Sequence, residues 1–73
     1  MNELQAILDK STAPEAVKQQ ALKLAFEIAA PIAYQATRGQ ANAFGDGTFL
    51  ALLMELLKML LPILLQLLVP TTV

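Results

Sequence analysis

The stretch LLMELLKMLLPILLQLL, Leu52 to Leu68, decides the fold. It is leucine-rich enough for the middle of a membrane span, yet it holds a glutamate, a lysine, a proline and a glutamine. Carried to its expected limits, Thr48 to Val69, it makes a helix of about 33 Å, close to the thickness of a bilayer's hydrocarbon core. At 100° per residue Thr48, Ala51, Glu55, Lys58, Pro62 and Gln66 fall at steps of three and four, in one stripe about 80° wide. Every other position is Leu, Met, Ile, Phe or Val. The polar residues are collected, not scattered.

A helix lying in the membrane interface wants a broad polar face rich in Lys and Arg, and this stripe is too narrow for that. A soluble bundle helix has an apolar stripe of somewhat over 100°, where this one approaches about 280°. Such a helix stays in water only when partner chains wrap it. The reading that fits best is a transmembrane helix whose polar stripe faces protein. Its strongly apolar residues favour insertion by roughly 4–8 kcal/mol, and a charge near the midpoint costs about 2.5–3.5 kcal/mol. With Lys58 at the midpoint and Glu55 one turn away, the sum is near zero. The six stripe residues are therefore expected to form an assembly seam, buried against another helix or another copy. Glu55 and Lys58 can pair at i, i+3, and Pro62 frees the carbonyl of Lys58 on the same side. An ion or proton path through the seam is a poorer fit, because one Glu and one Lys in tandem make a poor conduit.

Upstream, residues 2–10 form a short amphipathic helix with Leu4, Ile7 and Leu8 on one side. The segment STAPE follows, with Thr12 and Glu15 at capping-box spacing and Pro14 between them. From Ala13 to about Thr37, Val17, Ala21, Leu24, Ala25, Ile28 and Ile32 recur at helical steps and predict one apolar face. Lys23 and Glu27 pair at i, i+4 on the other side. Pro31 predicts a kink and not a stop, since the pattern continues beyond it; Pro62 predicts a second kink. Gly39 is the expected terminator. The loop GQANAFGDG has glycines at 39, 45 and 47, a spacing unlike that of a phosphate-binding loop. Phe44 can anchor it, and Asp46 or Thr48 caps the last helix.

The fold expected is all-α: short N-terminal helix, kinked amphipathic helix, Gly-rich loop and long apolar C-terminal helix, a helical hairpin with one transmembrane span. Residues 1–39 are the amphipathic helical region, 40–47 the loop, 48–69 the span and 70–73 a tail. Composition agrees with an apolar setting. Of the 73 residues 56% are hydrophobic and 15% charged, against about 45–50% and about 25% in ordinary soluble domains. So small a chain should be more polar than average, because it has the most surface per volume. The excess apolar surface is expected to meet lipid or other subunits.

Several function classes drop out. Neither Cys nor His is present, so there is no disulfide staple and no ordinary zinc or haem ligand set; no metal, cofactor or small-molecule substrate is expected. Ser11, Thr12 and Tyr34 have no base placed to activate them, so no catalytic residue is assigned. A net charge of −1, without a basic patch, argues against nucleic acid. The start MNELQAILDK lacks the basic and apolar regions of a secretory signal. Lys10, Lys18, Lys23 and Arg38 precede the span, which leans the N-terminal part towards the cytoplasmic side. The chain reads as a small structural or accessory subunit that assembles through helix packing in or on a membrane. A membrane complex or a membrane-associated virion would suit it, and its partners would be the lipid bilayer and copies of itself or other subunits. The alternatives are a membrane-permeabilising oligomer of the holin, toxin or lysis type, and a soluble scaffold subunit whose apolar helix is buried by partner chains.

Overall fold

The computed structural model describes residues 3–40, 42 and 44–68. The helical starts and ends expected at residue 2, Val69 and Pro70, and the tail 70–73, lie outside them. Three helices and no strand occur among the described residues: α1 (Glu3–Lys10), α2 (Glu15–Thr37) and α3 (Thr48–Leu68). The all-α hairpin expected from the sequence is present.

Helix α2 begins two residues later than the capping box implies. Pro14 is its N-cap, with φ −58° and ψ 153°, and no side chain caps it. A Thr12 cap would put Ala13 in helical conformation immediately before a proline, where the pyrrolidine ring clashes with it. The chain instead turns through Ser11, whose Oγ accepts the Ala13 N–H at 3.1 Å. The Pro14 carbonyl then takes the first helical bond, from Lys18 N–H at 3.0 Å. Thr12 and Glu15 therefore form no capping box.

Both α2 and α3 continue through their internal prolines, Pro31 and Pro62. Pro31 lies on the exposed side of α2, as does Glu27, so the carbonyl that the proline frees faces outward. Gly39 does not end α2 through a left-handed turn: Arg38 is an α-conformation C-cap, and Gln40 N–H closes on the Thr37 carbonyl at 2.9 Å. The left-handed glycine is Gly47, at φ 84°. It stands immediately before α3, and its carbonyl takes the Ala51 N–H at 2.8 Å. Asp46 supplies the cap, its Oδ1 accepting the Thr48 N–H at 2.9 Å and the Thr48 hydroxyl at 2.6 Å. Those two bonds, the hydroxyl's first, hold the Asp46 carboxyl below its ordinary value of 3.8.

The turn-rich ten-residue connection cannot reach from one end of α2 back to the other, so α2 and α3 run antiparallel. Their interface is two stripes of fourfold spacing. Ala21, Ala25, Ala29, Ala33 and Thr37 from α2 are buried against Leu53, Leu57, Leu61 and Leu65 from α3. Small residues at every fourth position let two helix backbones approach, and the leucines fill the space left. Among the described residues Thr37 is the one buried polar residue, and its hydroxyl donates to the Ala33 carbonyl at 2.8 Å.

This corrects the face expected for α2. Ile28 and Ile32 are 40% and 48% exposed, and the alanines take the contact. An isoleucine there would hold the helices apart. The expected Lys23–Glu27 pair also does not form: among the described residues the ion pairs are both made by Lys58. Two exposed side chains in the less favourable order gain little over their hydration.

The molecule is a slab of 49 × 24 × 15 Å with a radius of gyration of 13.9 Å, where a compact chain of this length has about 11 Å. Helix α1 packs on α3 on one side of the hairpin. On the other side Ile28, Ile32, Ile63 and Leu67 stay exposed.

Candidate functional site: a charged seam between α1 and α3

The stripe of polar residues on α3 divides at its middle. Thr48 is engaged with Asp46, while Ala51 and Glu55 face outward. The other half lies under α1. Lys58 Nζ sits 2.7 Å from Glu3 Oε2 and 2.7 Å from Glu55 Oε1, so one ammonium is held between two carboxylates from different helices. Further along, Pro62, Leu65 and Gln66 face Ile7 and Lys10 of α1 across an open groove of about 590 Å³. Glu3 beside Lys58 and Lys10 beside Gln66 mean that α1 runs in the same direction as α3. Leu4, buried at 6%, is its main apolar anchor.

Chemically the triad is a counter-ion arrangement. Lys58 is about a third exposed, Glu3 and Glu55 about two thirds. Ion pairs in that setting add little in water, where solvent screens them. Glu55 and Lys58 neutralise each other within α3; Glu3 adds a second negative charge from α1. Ser11, whose Oγ accepts the Ala13 N–H, and Thr12 also line the groove.

The sequence located Glu55, Lys58, Pro62 and Gln66 on one stripe, and the structure brings Lys58, Pro62 and Gln66 together beneath α1. Glu3 was not anticipated, because its partner is more than fifty residues away. The alanine stripe was legible as a four-residue repeat from Ala21 to Ala33. It was hidden among larger apolar residues at the same helical period.

Helix α3 is 21 residues long and its most apolar window has a mean hydropathy of 2.1, long and apolar enough to cross a membrane, with 17% of that window buried. Phe44 stacks on Phe49 of its first turn, ring centres 4.7 Å apart, and so ties the loop to α3. Comparison of the chain with known protein families, with curated proteins and with solved structures gives no match.

Proposed function

We propose that the chain is a small structural or accessory subunit that assembles through helix packing in or on a membrane, with α3 as its lipid-contacting and spanning element. The observation that carries this is the exposure of α3. Leu50, Met59, Ile63 and Leu67 stand 53–73% exposed on a helix whose most apolar window has a mean hydropathy of 2.1. In water that surface would be a strong drive to associate; in a bilayer it is the ordinary state. The open half of the seam, Ala51 and Glu55, is the place for a neighbouring copy or subunit. Arg38 and the lysines ahead of α3 favour the cytoplasmic side for the N-terminal part.

One observation favours a second reading, a soluble scaffold covered by partner chains. Antiparallel packing sets the centre of the alanine stripe, Ala29, beside Leu57 and Leu61. Glu27 then lies about 3 Å and Lys23 about 9 Å from the level of that centre. Both are exposed. Inserting the closed hairpin would take them into the hydrocarbon along with α3, at about 2.5–3.5 kcal/mol each near the middle.

Alkaline carbonate extraction of membranes from expressing cells separates the two. On the membrane reading the chain stays in the pellet, and Glu55→Leu or Lys58→Leu loses the oligomer while keeping the membrane association. Release as a defined soluble oligomer would establish the scaffold instead.

A further inference from the structure

We infer that the three-helix arrangement is a closed form, and that α3 crosses a bilayer only after α1 and α2 have come off it. The inference rests on α3 being the spanning element. Three features of the closed form point to it.

First, the closed form carries charge at the depth of the span's middle. Glu27 of α2 lies about 3 Å from the level of Leu57 and Leu61, with Lys23 about 6 Å further towards Leu65, and Glu3 of α1 stands against Lys58. None of these belongs to α3. Second, α3 is self-sufficient in charge. With α1 gone Lys58 keeps Glu55 at 2.7 Å, a neutral i, i+3 pair on one helix; with α1 in place the triad has one carboxylate too many. Opening therefore lowers the charge that must enter lipid.

Third, the contact that holds the hairpin shut depends on its solvent. Ala21, Ala25, Ala29 and Ala33 against Leu53, Leu57, Leu61 and Leu65 is an apolar seam with no ion pair across it. In water the seam is driven by removing leucine from solvent. In lipid that drive vanishes, and only the close packing of the alanine row is left to hold the seam. The same sequence thus folds closed in water and opens on meeting a bilayer, with no ligand needed as trigger.

The test is a reversible lock. The chain has no cysteine, so Ile32→Cys and Leu56→Cys place two unique thiols on one side of the hairpin, level with each other in the antiparallel packing and outside both buried stripes. A cleavable bis-maleimide joins them in the full-length protein, and formation of the link in dilute solution itself requires the closed form. Linked and cleaved samples are then mixed with phosphatidylcholine vesicles, floated and washed with carbonate. The expected result is that the cleaved protein resists carbonate and the linked protein is recovered in the wash, with at least a tenfold difference in the inserted fraction. Equal insertion of both would overturn the inference and leave α3 as a span. Insertion of neither would remove the spanning reading and the inference with it.

Discussion

The two contacts that α3 makes are opposites. Against α2 it presents four leucines to a row of alanines, along a buried seam with no charge across it. Against α1 it presents Lys58 to Glu3 beside an open groove, with Leu4 as the main buried side chain. The first contact draws its strength from area and close approach, the second from a partly exposed ion pair and one leucine. An eight-residue helix is also too short to be stable alone. The comparison teaches that the hairpin is the body of the fold and α1 its detachable part.

The largest expected effect comes from cutting into the α2–α3 seam. Leu57 is fully buried, and Leu57→Ala should destabilise the hairpin by about 2–5 kcal/mol. For a chain this small that is most or all of its stability, so urea unfolding followed by circular dichroism should show the transition lost or moved close to zero denaturant. The converse change, Ala29→Leu, tests close approach instead of lost area. It adds apolar atoms where there is no room, and should cost about 1–3 kcal/mol. Were Ala29→Leu neutral, the alanine row would be a by-product of composition and not the feature that sets the helix spacing.

How much of this was legible in the sequence follows the same division. The long apolar helix, its polar stripe, the loop and the continuation of both helices through Pro31 and Pro62 could be read, because each depends on local periodicity. The inward face of α2 was read correctly at Ala21 and Ala25 and misread beyond them. Ile28 and Ile32 look like core by hydropathy, while Ala29 and Ala33 look like filler. Only the distance between two helix axes decides which set is inside, and that distance belongs to the pair. The Thr12 cap failed for a local reason, the restriction Pro14 places on Ala13. Glu3 could not be found at all, since nothing near it in the chain points to Lys58.

The α1 contact should respond on a smaller scale. Glu3→Gln removes the charge from one arm of the triad and leaves Glu55 on Lys58. With Glu3 two thirds exposed, the expected loss is small, and it should shrink further as salt is added. Global unfolding would barely register it. Amide exchange would: protection in Leu4–Lys10 should fall several-fold while that of Ala21–Ala33 stays unchanged, which is the signature of a part that leaves while the body holds. A matching fall in both segments would mean that α1 and the hairpin open as one unit.

The smallest effect separates the two long helices at their starts. Helix α3 begins on a side-chain cap from Asp46, and α2 begins on Pro14 with none. The folded-state value of Asp46 is depressed by the bonds from Thr48, so its contribution is present above the ordinary carboxylate value of 3.8. It is lost as pH falls through the lower folded value, when the protonated carboxyl gives up its charge-assisted bonds. On titrating to the acid side, the Thr48 amide proton should shift and the first turn of α3 should fray, with no matching change at Lys18, the first bonded amide of α2. Asp46→Asn keeps an oxygen acceptor without a charge, so it should remove the pH response and leave the turn in place. If the variant titrated like the parent, the acid sensitivity would lie elsewhere, and the start of α3 would be fixed by Gly47 and its left-handed backbone alone.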